Sequence, residues 1–569
     1  MRIWNGRRAE KRSAVKNAIG CRPMTLVAVA VVAACAVACD SGGSSGSGGA
    51  SKESSKAATT STPPPIGPQP NFVVILTDDQ PYHTMWAMPE VDALAAQGVR
   101  FTEAFVEMPI CSPPRASFLS GGFHARNTGN VWNLAPNGGA QVFNDDDTLG
   151  TRLQATGYRT GFVGKWMNDT VDGEVPPGWD RFVERHYKDG VNVGWSGFRL
   201  YHYRDHALDF LDETGDEPFL LVLSVVLPHY PAEPAPGDEN LYDGYLYRER
   251  GFGETDLSDK PPAIIAAHGL FSFPYWDQAQ EDTFHRNQLR SLAAVDRTVG
   301  DVFTRLDSLG LRDDTYVFFW TDHGLQWGEH GLHQKDFAYE ESIRTPLLVW
   351  GPDVEPKDRD ELIMTPQDLG ATILELSGAY GPTDGDSLRP LLEDETNPAW
   401  RDEVFLEFAT SPYVWAGVRT DRWKYVEWGG GEVELYDLHT DPYELESLHD
   451  DPAYDSIEAD LRARRASEAR SLAFRTPLYR LLPLARVGEP YSHQLDVWGG
   501  QGARTFTLTA GVLPPGLSLS SQGVISGTPT QEQVHAESLF DIRVCDSATG
   551  RQQGGPQCFT KELDLSVRP

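Results

Sequence analysis

The sequence predicts an α/β fold built on a doubly wound, mostly parallel sheet, with a small antiparallel C-terminal subdomain and an all-β domain appended after it. Three observations carry this. Apolar, β-rich runs end in polar or charged residues, as buried parallel strands do at their carboxyl ends. Helix-like segments separate those runs. Beyond residue 478 the chain changes to short alternating strands broken by Gly and Pro.

The strands come first. NFVVILTDDQ (71–80), PFLLVLSVVLPHYP (218–231) and TYVFFWTDHG (315–324) are strong, and GYRTGFVGKW (157–166) is a weaker version of the same pattern. Helices are expected at 88–99, 148–157, 203–214 and 284–310. In doubly wound sheets a site forms at the carboxyl ends of the strands, so the polar strand ends are expected to converge. Residues 231–283, rich in Pro, Gly and aromatics, are expected to cover that site. Tyr242, Tyr245, Phe271 and Trp276 there either stack on sugar rings or pack the loop. A hairpin or small antiparallel sheet is expected at 416–448 and a charged helix at about 455–472, completing a catalytic domain of 71–474. The 478–569 segment, above all LPPGLSLSSQGVISGTPT, resembles the immunoglobulin-like β-sandwich modules of bacterial surface enzymes.

The N-terminus reads as export machinery. RRAEKR precedes the apolar stretch PMTLVAVAVVAACAVAC, which is short beside the roughly twenty residues a spanning helix needs. Residues 1–39 resemble a bacterial lipoprotein signal, with Cys39 as the lipidated residue and Cys35 a competing match. An ordinary cleaved signal or an uncleaved anchor remains the alternative. A Ser/Gly/Pro tether follows at 40–70. The expected location is the cell envelope, periplasmic or at the surface, with the membrane reached through the lipid. A net charge of −33 argues against a nucleic-acid partner. In an oxidising compartment Cys545 and Cys558 are candidates for pairing. Cys111 has no neighbour to pair with, which leaves it an inert buried thiol or a functional one.

Asp78 and Asp79 end the first strand. Adjacent carboxylates repel, so they either share a cation or belong to a turn that caps a helix. Asp322 and His323 end another strand. Three carboxylates and an imidazole form an oxygen-rich set suited to Ca²⁺ or Mg²⁺ more than to zinc. His229 follows the third strand, Lys165 the second, and Lys335 follows GEHGLHQ. Taken singly, the histidine suits a structural role and the lysines a solvated surface; their shared position at the sheet edge favours a site.

Cys111-Ser112-Pro113-Pro114-Arg115-Ala116, with Leu119 and Gly121, resembles the sulfatase signature C-x-P-x-R of the alkaline-phosphatase-like superfamily. TDDQ, GKW, PHYP, TDHG and GEHGL…K stand in family order across 71–450. GKWMN…VPPGWDRF and SDKPP are similar to the N-acetylglucosamine-6-sulfatase and heparan endosulfatase branch. The resemblance implies that Cys111 becomes a formylglycine made by a formylglycine-generating enzyme. It implies one divalent cation, Ca²⁺ first and Mg²⁺ or Mn²⁺ as alternatives, held by Asp78, Asp79, Asp322, His323 and the Cys111 position. Arg115 would orient the nucleophile, Lys165 and Lys335 would neutralise sulfate, and His229 would act as general acid. The expected substrate is a sulfated sugar such as glucosamine 6-sulfate, or an aryl sulfate. A phosphoester or phosphonate monoester hydrolase of the same superfamily is the first alternative, and a non-catalytic carbohydrate-binding surface protein the second. Two departures stand out. No histidine follows Lys165 at Trp166-Met167-Asn168, and position 323 is His where many relatives carry Asn.

Overall fold

A computed structural model describes residues 69–568, apart from 186, 195–196, 269–276, 394–399, 411–412, 469–472, 475–481, 496, 501, 534–538 and 548–555. The export signal, Cys35, Cys39, nearly all of the tether, Phe271 and Trp276 lie outside the described residues. Among the described residues no helix is long and apolar enough to cross a membrane.

Four strands form the centre of a ten-stranded mixed sheet: β1 (Asn71–Asp78), β2 (Arg159–Gly164), β3 (Phe219–Pro228) and β4 (Thr315–Thr321). Their spatial order is β2-β3-β1-β4, all parallel. Arg181–Glu184 extends the parallel part beside β2, and Leu347–Trp350 turns antiparallel beside β4. Alternate residues face opposite layers, as the pleat requires. Val73, Ile75, Leu221, Leu223, Val317 and Phe319 pack under helices α2 (Arg199–Glu213) and α3 (Gln278–Leu309). Phe72, Val74, Leu220, Val222 and Phe318 pack under α1 (Ser112–Leu119) and α4 (Thr365–Ser377). The sheet is therefore doubly wound, with an apolar layer on each face.

Helix α3 starts at Gln278, six residues ahead of the expected start. A capping box accounts for this: Asp277 accepts from the amides of Ala279 and Gln280, and the Gln280 side chain accepts from the Asp277 amide. Its first turn is polar and carries no apolar period, so hydrophobic spacing misses it.

The C-terminal subdomain is a four-stranded antiparallel sheet, Glu403–Phe408, Trp415–Thr420, Trp423–Trp428 and Val433–Asp437, backed by helix Asp455–Ser467. Its first strand precedes the stretch expected from sequence. The β module contains two three-stranded sheets, and Cys545 and Cys558 face each other across paired strands in a disulfide. It is fastened to the rest by Asn137, whose Nδ2 donates to Thr560 O and whose Oδ1 accepts from Thr560 N, both at 2.7 Å.

Candidate active site

Parallel register brings the predicted residues to one edge. Thr77 pairs with Thr321, Asp78 with Pro228 and Gly164 with Ser224. Asp78–Asp79, Lys165, His229 and Asp322–His323 therefore leave their strands at similar heights. Gly164 makes the β2 exit possible: its φ is +119°, and a Cβ there would stand 1.8 Å from Ser224 O. Asp79 turns the chain with φ 63°, a left-handed conformation that Asp tolerates better than most residues.

Cys111 is the buried residue preceding α1. Pro113 and Pro114 fit the first turn because amides there have no intrahelical acceptor. The first helical amide, Ser112 N, donates to Asn133 Oδ1 at 2.9 Å, and Ser112 Oγ accepts from Asn168 N at 3.2 Å. Asn168, which ends GKWMN, thus braces the start of α1 beside Cys111. One turn on, Arg115 is wholly buried. Its Nε donates to Asp322 Oδ2 at 2.8 Å, and Nη1 donates to Lys165 O and Ser224 Oγ, both at 2.8 Å. Nη2 stands 3.6 Å from Asp78 Oδ2.

Around the thiol, Lys165 Nζ donates to Asp78 Oδ2 and Lys335 Nζ to Asp79 Oδ1, each at 2.6 Å. Lys335 Nζ also reaches Cys111 Sγ at 3.4 Å. His323 Nε2 is 3.2 Å from Asp79 Oδ1, and His229 Nε2 is 3.7 Å from Asp79 Oδ2. Burial alone would raise the aspartates. At Asp78 the combined field of Lys165, His229 and Arg115 outweighs it; at Asp79, which falls to about 2, Lys335, His229 and His323 together do. His323 and Arg115 hold Asp322 far below the usual range. Burial likewise opposes the shifts at His323 and Cys111. Asp322 nevertheless lifts His323 to about 9, and Lys165 with Lys335 brings the thiol down to about 6.

The donor set fits a hard divalent cation. Ligand atoms of Asp78, Cys111, Asp322 and His323 lie within 4.8 Å of one another, as do those of Asp78, Asp79, Cys111 and His229. Asp78 Oδ1 is buried with no hydrogen-bond partner, and His323 Nε2 lacks a well-formed one. An orphaned carboxylate oxygen, beside an imidazole nitrogen that can give up its proton to become a ligand, is what a cation would satisfy.

A cleft of about 250 Å³ opens over this cluster, lined by Asp79, Cys111, His229 and Lys335. Beyond them its wall includes Asn133, Asn168, Tyr230, Glu281, Phe284, His285 and His333. None of these seven was singled out as a site residue from sequence. Only position marks them, Asn168 inside GKWMN and His333 inside GEHGLHQ, two residues from Lys335. Tyr242 and Tyr245 do not line the cleft; both contact Trp86 and sit against a core of Tyr247, Leu289 and Trp327.

The doubly wound α/β fold, with its candidate site at the carboxyl edge of the central sheet, is of the alkaline-phosphatase-like class. The sulfatase family model matches residues 70–379, more than half of the chain, and the chain belongs to the sulfatase family, the sulfuric ester hydrolases. A model of the C-terminal part of N-sulphoglucosamine sulphohydrolase matches 328–471, and the He_PIG model of an Ig domain matches 479–555. N-acetylglucosamine-6-sulfatase of Capra hircus is 28% identical over 67% of this chain and 80% of its own length. An extracellular sulfatase Sulf-1 homolog of Caenorhabditis elegans is 27% identical over 61% of this chain, which spans only 54% of that relative. Among solved structures, a complex with D-glucosamine-2-N,6-O-disulfate as substrate aligns over 70% of this chain and 97% of its own, with TM-score 0.65 and 22% identity.

Proposed function

We propose that the chain hydrolyses O-sulfate esters of a sulfated sugar such as glucosamine 6-sulfate, with Cys111 as the precursor of a formylglycine nucleophile. The observation that carries this reading is the packing of one unpaired cysteine against Lys335, above a cluster of three carboxylates and an imidazole. Relatives that act on N-acetylglucosamine 6-sulfate support the sugar.

Asp78, Asp79, Asp322 and His323 would hold one divalent cation, Ca²⁺ by the chemistry of the set, together with the modified side chain at 111. When bound, it would polarise sulfate oxygens and the attacking hydroxyl. Once Cys111 is converted to an aldehyde, its hydrate offers one hydroxyl for attack and a second that lets sulfate depart without a further water attack. Lys165 and Lys335 place two ammonium groups where the anionic sulfate must sit, offsetting its charge as the bond to sulfur forms. Arg115 fixes Asp322 and the Lys165 carbonyl, so the site keeps its shape while charge moves. His229, partly exposed at the cleft, hands a proton to the departing alkoxide. The N-terminus would export the enzyme and tether it at Cys39.

Intact mass and activity test this together. Matured protein should be about 18 Da lighter than the unmodified chain, from loss of sulfur as the aldehyde replaces the thiol. It should cleave 4-nitrophenyl sulfate, and Cys111→Ala should lose that activity while melting at the same temperature. A hundredfold preference for a phosphonate monoester, about 2.7 kcal/mol of barrier, would replace this reading with the superfamily alternative.

A further inference from the structure

The wall of the same cleft holds polar groups that the mechanism does not use. Glu281, in the first turn of α3, and His333, two residues before Lys335, meet across it, with His333 Nε2 3.4 Å from Glu281 Oε1. Both are largely shielded, with side chains 8% and 18% exposed. His333 Nδ1 is buried with no hydrogen-bond partner. The same is true of Nδ1 of His285, whose ring stacks flat on Trp327 with centroids 4.4 Å apart. Arg248, the cation that could neutralise this wall, is committed to Asp282 through two hydrogen bonds of 2.9 and 3.0 Å. Phe284 and Tyr230 add apolar surface.

We propose that Glu281 and His333 form a specificity-determining subsite that accepts hydrogen bonds from hydroxyl or N–H groups of a singly sulfated sugar and turns away a second anionic group. This rests on the sulfate-ester reading of the same cleft. A ligand entering here meets an acceptor before it meets a donor, because Glu281 is a carboxylate held by long contacts alone, to Gln278 Nε2 and His333 Nε2 at 3.4 Å each. A sugar ring supplies donors on several carbons; a nitrophenyl ring supplies none. Selection against a second sulfate follows from charge: a carboxylate in a shielded wall, without its own cation, repels an anion held beside it. Lys335, beside which the reacting sulfate is expected, lines the same cleft.

The test compares wild type, Glu281→Gln, Glu281→Ala and His333→Ala at pH 8, where Glu281, lifted by burial to about 7, is ionised. Substrates are 4-nitrophenyl sulfate, N-acetylglucosamine 6-sulfate, galactose 6-sulfate and glucosamine 2-N,6-O-disulfate. Both alanine variants should lower the kcat/KM ratio of sugar to aryl sulfate at least about tenfold, the loss of one hydrogen bond to a charged or desolvated group. Glu281→Gln keeps the shape without the charge, and should raise the ratio of disulfated to singly sulfated sugar about fivefold or more. Unchanged ratios, proportional losses on every substrate, or a wild-type preference for the disulfated sugar would overturn the inference. Wild type that cleaves the aryl sulfate but no sugar would sink it and leave the ester reading standing. Wild type that cleaves no sulfate ester would remove both.

Discussion

Lys335 Nζ lies between Cys111 and Asp79, 3.4 Å from the sulfur and 2.6 Å from a carboxylate oxygen. One ammonium therefore serves two anions, and a second, on Lys165, adds to the same field. Burial would push the Cys111 thiol up, yet these cations bring it from 9 to about 6. The consequence is measurable in protein made without maturation and stripped of metal. Thiolate absorbance, taken as the difference from Cys111→Ala, should appear with a midpoint near pH 6, and Lys335→Met should move it upward. The folded state holds fewer protons than the unfolded one between those values, so this group's contribution to stability grows from pH 6 to 9 and is lost as pH falls through 6. An unmoved midpoint in Lys335→Met would contradict the contact.

Arg115 cannot be replaced by lysine. Its nitrogens contact Asp322, the Lys165 carbonyl and Ser224 at once, and the two strand-end carboxylates it touches are fully buried. Removing a buried partner leaves uncompensated charge, at a cost of about 3–5 kcal/mol. Arg115→Ala and Arg115→Lys should both lower the urea midpoint strongly, with lysine recovering little because a single ammonium cannot reach all three acceptors.

His229 is expected to matter in proportion to how much the leaving group needs a proton. His229→Ala should lower kcat/KM on a sugar sulfate by roughly 10²–10⁴-fold, the usual worth of general acid catalysis. On 4-nitrophenyl sulfate, whose phenolate leaves without protonation, the loss should be far smaller. Equal losses on both would assign His229 to binding instead.

The contrast between Lys165 and His333 explains how much of this site is legible in the sequence. Lys165, His229, Asp78–Asp79 and Asp322–His323 each sit just past an apolar strand, and parallel pairing carries strand ends to a common edge. A linear pattern therefore encodes their meeting. Glu281, His285 and His333 come from the first turns of α3 and from an irregular loop, where no period marks which side faces the cleft. Tyr242 and Tyr245 pack the loop, the second of the two readings open to them, since an aromatic loop residue reads the same in sequence whether it faces ligand or, as here, neighbouring rings. The α/β architecture is legible because two apolar layers demand strands that are apolar on both faces, which read as unbroken apolar runs. The first strand of the C-terminal sheet and the early start of α3 are not, since tertiary pairing and a polar cap specify them.

Metal removal should separate activity from folding. Three carboxylates sit in this cluster, and without compensation their repulsion would open it. Arg115, Lys165 and Lys335 already neutralise them through direct contacts, so the metal-free protein should remain folded. Treatment with a chelator should abolish sulfate-ester hydrolysis while leaving the circular dichroism spectrum native, and Ca²⁺ should restore turnover. Because the cation binds only the folded state, saturation at 100 times its dissociation constant should add about 2.7 kcal/mol and raise the melting temperature with concentration. Lys165→Ala and Lys335→Ala should make the same protein depend on the cation for folding, since fewer internal charges would then hold the carboxylates together. If chelated wild type unfolds, the lysines do not compensate the cluster as their distances imply; if it keeps full activity, the carboxylates do not hold the catalytic ion.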